Sequence, residues 1–161
     1  MAVRVVIADD HGVLRAGLKA LLRAEPEYEV VGEAASGEEA LSLATEHRPD
    51  IVLLDVSMPG FGGLEAAKMI KARLPRTHVL ILTVHEDGAL LREAIRAGAS
   101  GYIVKRAVES ELINAIEAVQ RGELYVHPAM TRALLQDRSP DKAARRGDPT
   151  SLTKREASVV N

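Results

Sequence analysis

The chain has 161 residues, 47% of them apolar and 27% charged, which suits one core-bearing domain plus a modest appendage and argues against a disordered chain. It has no cysteine, so disulfides, thiol nucleophiles and zinc–thiolate sites are excluded. The net charge of −2 hides an asymmetry: residues 1–135 carry 15 basic against 19 acidic side chains, and residues 136–161 carry 6 against 4. An acidic main body repels a phosphate backbone, so the bulk of the chain is not expected to bind DNA.

Five short β-rich runs recur in chain order: Val3–Ala8, Glu29–Ala34, Ile51–Leu54, Val79–Thr83 and Tyr102–Val104. Helical periodicity fills the gaps. Leu14, Leu18, Leu21 and Leu22 share one face of the first helix, and Leu112, Ala115, Ile116 and Val119 share one face of the last. Ser36-Gly-Glu-Glu39 reads as a capping box, Pro75 stops the third helix, and Gly98 stands where a helix end needs left-handed backbone. The longest apolar runs, such as Val79 to Leu82, are far too short to span a bilayer, and no signal peptide opens the chain.

Strict alternation of strand and helix predicts an α/β fold with a parallel sheet between two helical layers. The first, third and fourth runs are nearly all apolar, as central strands should be, while Glu29 and Glu33 put the second at an edge. A flavodoxin-like (βα)5 three-layer sandwich with strand order 2-1-3-4-5 follows. The pattern closes near Arg121. Residues 122–136 are expected to form a short helical extension begun at Pro128, and residues 137–151 form a charged, Pro/Gly-containing linker. Residues 152–161 open with Leu152-Thr-Lys-Arg-Glu156, a helix start that is too short to build a core.

In such sheets ligands bind at the carboxyl ends of the strands. That rim collects Asp9 and Asp10 after strand one, Asp55 after strand three, Thr83 after strand four and Lys105 after strand five. Each alone has an ordinary explanation as a cap, a strand former or a solvated charge. Together, three carboxylates repel one another unless a cation joins Lys105 among them, and Mg²⁺ suits a few carboxylates plus water and a phosphate oxygen. A carboxylate in such a place can attack a phosphoryl donor. Gly60, Gly62 and Gly63 lack the spacing of a dinucleotide loop and read as a flexible entry to the third helix. His11 and His85 read as rim residues, because Mg²⁺ prefers oxygen.

Asp9-Asp10, Leu53-Leu-Asp-Val-Ser-Met-Pro-Gly60, Leu82-Thr83 and Ala97-Gly-Ala-Ser-Gly-Tyr-Ile-Val-Lys105 resemble the receiver domain of two-component response regulators. The Asp9-Asp10-His11 start, the Gly-Ala-Ser-Gly-Tyr102 phrase and Leu152-Thr-Lys-Arg-Glu156 are similar to the NarL/FixJ class, whose members end in a LuxR-type helix-turn-helix domain. The resemblance covers roughly residues 3–121 and makes residues 1–121 the receiver domain. It makes residues 152–161 the start of a DNA-binding domain that is otherwise missing, so DNA is expected as a partner only through that domain.

The resemblance implies that Asp55 is the phosphoacceptor, served by a sensor histidine kinase. Asp9, Asp10, Asp55 and the backbone carbonyl of Ser57 are the implied Mg²⁺ ligands. Lys105 and Thr83 contact the phosphoryl group, Tyr102 moves with Thr83 as a switch, and Ser57, Val84 and His85 tune phosphoryl lifetime. Homodimerisation on phosphorylation and a cytoplasmic location are also implied, with no turnover beyond the domain's own phosphoryl transfer and autodephosphorylation. Arg106 stands where many receivers have proline. A standalone receiver or phosphorelay intermediate acting through protein contacts is the alternative. A haloacid dehalogenase-type phosphatase is disfavoured, because Ser57 stands where those enzymes need a second acid.

Overall fold

The computed structural model describes residues 2–58, 62–84, 88–128 and 131. They fall into two units, residues 1–85 with 93–127 and residues 86–92 with 128–161. The first holds the sheet. Of the second, residues 88–92 open a helix, and Pro128 and Thr131 are helical.

The elements run β1 (Val3–Ala8), α1 (Gly12–Arg23), β2 (Tyr28–Ala34), α2 (Gly37–His47), β3 (Ile51–Asp55), α3 (Gly62–Arg73), β4 (His78–Thr83), α4 (Gly88–Arg96), β5 (Gly101–Val104), α5 (Val108–Gln120) and β6 (Tyr125–Val126). A single 3-10 turn, Lys105–Ala107, joins β5 to α5. All pairings are parallel, and the strand order is β2-β1-β3-β4-β5-β6. The expected α/β order is therefore present, with one addition. A sixth strand lies outside β5, within the stretch expected to be a helical extension, so the sheet continues past residue 121. The expected linker and the helix start at 152–161 lie outside the described residues.

Strand parity divides the core. Val5 and Ile7 of β1, Leu53 of β3, Leu80 and Leu82 of β4 and Ile103 of β5 form one cluster with Leu18 and Leu22 of α1 and Leu112, Ala115, Ile116 and Val119 of α5. The alternate positions Val6, Ala8, Val52, Leu54, Val79 and Ile81 are equally buried, and α2 and α3 pack on β1–β2 and β3–β4. Two-sided burial explains the unbroken apolar runs of β3 and β4, and each buried Leu, Ile or Val stabilises the fold by about 1.5–3 kcal/mol.

Local signals behave as the sequence suggests. Ser36 Oγ accepts the Glu39 N–H at 3.1 Å, while the Glu39 carboxylate accepts the Ala35 N–H at 2.8 Å. Gly98 ends α4 at φ 96°, with the Gly98 and Ala99 N–H groups donating to Ile95 and Ala94. A β-carbon there would also press within 2.9 Å of Lys71 Cγ, so glycine is needed twice over.

Candidate phosphoacceptor and metal site

Parallel strands place their carboxyl ends on one rim, and β1, β3 and β5 deliver the chemistry. Asp9 follows β1 directly, Asp55 is the last residue of β3, and Lys105 follows β5. Asp9 and Asp55 are completely buried. The Lys105 side chain is 10% exposed, and its ammonium lies 3.1 Å from Asp9 Oδ2 and 3.1 Å from Asp55 Oδ2. Residues 9, 55 and 105 thus meet because of topology alone.

The remaining oxygens are held from the backbone. Asp55 Oδ1 accepts the Ser57 N–H at 3.1 Å, and Asp9 Oδ1 accepts the His11 N–H at 2.7 Å. Burial pushes the Asp55 carboxyl above the ordinary carboxylate range and the Asp9 charge adds to this. The Ser57 N–H and the Lys105 ammonium pull the other way without cancelling it. The site therefore carries more negative charge than its one ammonium comfortably balances.

That imbalance is what a cation would relieve. Among the described residues the Oδ2 atoms of Asp9 and Asp55 have no solvent contact and receive no well-directed hydrogen bond; each lies 3.1 Å from the Lys105 ammonium, and Asp55 Oδ2 is also 3.9 Å from His11 Nδ1. Ligand atoms of Asp9, Asp10, His11 and Asp55 all lie within 4.8 Å of one another. The donor set is mostly carboxylate oxygen, which fits a hard divalent ion such as Mg²⁺.

Of the other expected site residues, Thr83 is the last residue of β4 and fully buried, and Tyr102 is buried in β5, paired through its backbone with Ile81 and Val126. Ser57 is exposed, and Val84 is 62% exposed beside the rim. His85 lies outside the described residues. Lys105, Arg106 and Ala107 form the 3-10 turn, so the lysine is presented by a compact connection into α5.

The structure adds three features that sequence reasoning missed. His11, taken as a rim residue, stands at the N-cap position of α1 with its exposed ring against the acidic cluster, Nδ1 lying 3.1 Å from Asp9 Oδ1 and 3.3 Å from Asp10 Oδ1. Arg15 donates to the backbone carbonyl of Asp9 and, at 3.2 Å, to Glu33, which also takes Lys19 at 2.7 Å. Glu33 had looked like mere edge-strand polarity. It anchors α1 to β2 behind the site.

Gly63 is the third. A β-carbon there would collide with the Asp55 carbonyl oxygen and sit 2.5 Å from Val56 Cα. The glycine is a steric requirement for α3 to start against the phosphoacceptor candidate, not a flexible element. Gly62 beside it has φ 81°. Gly60 lies outside the described residues.

Known proteins match along this frame. The sequence profile of the family "Response regulator receiver domain" covers residues 5–117. The chain is 38% identical over 135 residues to the transcriptional regulatory protein DegU of Brevibacillus brevis, covering 84% of this chain and 57% of that protein. It is 39% identical over 163 residues to the oxygen regulatory protein NreC of Staphylococcus carnosus, covering 98% of this chain and 75% of the relative. Among solved structures, a LuxR-family two-component response regulator from Aurantimonas sp. SI85-9A1 superposes with TM-score 0.81 at 38% identity, over 86% of this chain and 99% of that one. The receiver domain of the putative response regulator NarL from Mycobacterium tuberculosis gives 0.72 at 36% identity, over 76% and 98%. The chain belongs to the response regulator receiver family, with NarL, DegU and LuxR-type regulators as its relatives.

Proposed function

We propose that this domain is a phosphorylation-controlled switch in which Asp55 takes a phosphoryl group from the phosphohistidine of a sensor kinase. The observation that carries the reading is the burial of Asp55 at the end of β3, 3.1 Å from Lys105 and against the Asp9 carboxylate. One Asp55 oxygen forms a bond to phosphorus as the phosphorus–nitrogen bond breaks, and the electron pair returns to the donor imidazole. The Ser57 N–H orients the carboxylate. Lys105 favours its ionised form against its buried surroundings and would meet charge on the phosphoryl oxygens.

Asp9, Asp10, Asp55 and the Ser57 carbonyl would hold Mg²⁺, which when bound supplies further neutralisation of charge on the transferring group. Thr83 at the end of β4 is the hydroxyl placed to bond a phosphoryl oxygen, and Tyr102 in the neighbouring strand is the side chain whose position responds. Differential contacts in the two states shift the population between them. Partners in this reading are a sensor histidine kinase, a second copy of the phosphorylated chain, and DNA through a segment C-terminal to the receiver, in the cytoplasm. Among the described residues no helix is long and apolar enough to cross a membrane.

The test is Mg²⁺-dependent gain of one phosphoryl mass from acetyl phosphate, lost in Asp55→Asn. Uptake of the same extent by that variant would overturn the assignment.

A further inference from the structure

We propose that the amino-terminal rim of the sheet carries a binding site for a small phosphate monoester of the sugar-phosphate class, gripped by Arg48, Arg73 and Arg76. The site lies at the end of the sheet away from Asp55, in an open cavity of about 440 Å³ that the phosphoacceptor chemistry does not use.

The charges of the lining carry the argument. Arg48 follows α2, Arg73 ends α3 and Arg76 stands in the turn before β4, so two neighbouring helices bring three guanidinium groups to one cavity. All three residues are exposed, and among the described residues none of them forms an ion pair. A guanidinium meets phosphate oxygens two bonds at a time and stays charged at any physiological pH. Asp50 is the one acid in the lining, so three guanidiniums against one carboxylate leave two positive charges. A phosphate monoester, with a charge of about −1.5 to −2 near pH 7, balances them.

The acid also indicates what else the ligand carries. Asp50 Oδ2 accepts the Arg4 N–H at 2.8 Å, and an acceptor-only carboxylate in an anion site is served by hydroxyl donors beside the phosphate. No aromatic side chain lines the cavity to stack a base, which separates a sugar phosphate from a nucleotide. The volume falls in the range of small-molecule sites.

The backbone of the cavity is held in place. Buried Thr77 donates its hydroxyl to the Pro49 carbonyl at 2.8 Å, joining the segment before β3 to the segment before β4. The Lys71 ammonium donates to the Pro75 and Thr77 carbonyls at 2.9 and 2.8 Å, and the Thr77 N–H closes the turn on Leu74. Arg48 holds the left-handed cap of α2 at φ 46°, directly before a proline, and among the described residues it alone has positive φ without being glycine. Glycine takes that conformation without steric cost, so the arginine is retained for its side chain. Arg73 also borders the groove between α2 and α3 that holds Glu38 and Glu46, so the test is built on the other two arginines.

Titration of the 15N-labelled whole chain with glucose 6-phosphate, without Mg²⁺ and at constant ionic strength, tests the site. The expected result is saturable displacement of the amide resonances of residues 48, 50, 76 and 77. Inorganic phosphate should bind at least about threefold more weakly, and glucose should give no saturable change. Arg48→Gly and Arg76→Gln should each weaken binding about tenfold, as expected for a lost hydrogen bond between charged groups. Arg23→Gln, at the exposed end of α1 and outside the lining, should leave the affinity unchanged. Arg48→Gly puts the favoured residue in the left-handed cap, so its urea midpoint should not fall, which separates lost binding from a damaged fold.

No saturable change with glucose 6-phosphate, or wild-type affinity in both Arg48→Gly and Arg76→Gln, overturns the proposal. Inorganic phosphate bound as tightly as the ester overturns the sugar-phosphate assignment. Weakening by Arg23→Gln equal to that of the lining variants marks general attraction to positive charge and overturns the site.

Discussion

The Lys105 ammonium sits 3.1 Å from Asp55 Oδ2, the two residues coming from the ends of strands two places apart in the sheet. One ammonium shared with Asp9 does not compensate two buried carboxylates, and Asp55 keeps a raised pKa chiefly through desolvation. A carboxyl whose folded pKa lies above its unfolded value destabilises the fold once pH exceeds the folded value. The penalty disappears below the unfolded value, near about 3.9. Asp55→Asn should therefore be more stable than wild type to urea at pH 7.5, with the gap closing as pH falls toward 4. A variant less stable than wild type at pH 7.5 would contradict this balance of charges.

Mg²⁺ should remove the same penalty. An ion that binds only the folded chain stabilises it by about 2.7 kcal/mol at a concentration one hundred times its Kd. Wild type should show a rise of that order in the urea midpoint experiment at saturating Mg²⁺, whereas Asp10→Ala should show most of it lost. Asp10 has a side chain one-third exposed and is not among the buried residues, so its replacement should leave the metal-free stability nearly unchanged. Equal stabilisation of both proteins by Mg²⁺ would place the ion elsewhere.

Gly63 and Gly62 should separate close approach from backbone strain. Gly63→Ala forces its methyl group into the Asp55 carbonyl and Val56 backbone, and overpacking of this kind costs about 1–3 kcal/mol. Gly62→Ala meets nothing within 4 Å and should cost about 1–2 kcal/mol, from its φ of 81° alone. The informative difference lies at the site. Gly63→Ala should displace the Asp55 and Val56 amide resonances and slow phosphoryl uptake. Gly62→Ala should leave those resonances close to their wild-type positions.

The central sheet was legible because two-sided burial leaves unbroken apolar runs, and Asp9, Asp10, Asp55, Thr83 and Lys105 were legible because strand ends share a rim. What stayed hidden depended on side-chain direction. His11 read as a rim residue near the acids, but nothing in the sequence gives the 3.1 Å approach of its ring to Asp9 Oδ1. Glu33 correctly marked an edge strand, but its pairing with Arg15 and Lys19 crosses from β2 to α1, beyond any local pattern. Gly63 sat among other glycines, so a need for close approach read as flexibility. β6 has only two residues, set in Glu123-Leu-Tyr-Val-His127, and no periodicity can be read from so short a run.

What holds β6 is a tertiary hydrogen-bond cluster. The Tyr125 hydroxyl donates to Glu111 Oε1 at 2.6 Å, and His127 Nδ1 lies 2.9 Å from Glu111 Oε2. Behind them the Tyr125 N–H donates to the Ser100 carbonyl and the His127 N–H to the Tyr102 carbonyl. Burial acts to raise the Glu111 pKa, yet the Tyr125 hydroxyl and His127 outweigh it and hold the carboxyl below its ordinary range. A depressed carboxyl stabilises the fold above its unfolded pKa, near about 4.3, and that contribution is lost as pH falls through the folded value. Tyr125→Phe removes a hydrogen bond to a charged group and should cost about 1.5–3 kcal/mol at pH 7. The loss should be local: the His127 amide should exchange faster with solvent, while the amides of β1 and β3 keep their protection. The difference between variant and wild type should shrink below pH 4 as Glu111 is protonated. An unchanged His127 exchange rate in the variant would mean that the backbone bonds alone hold β6 against β5.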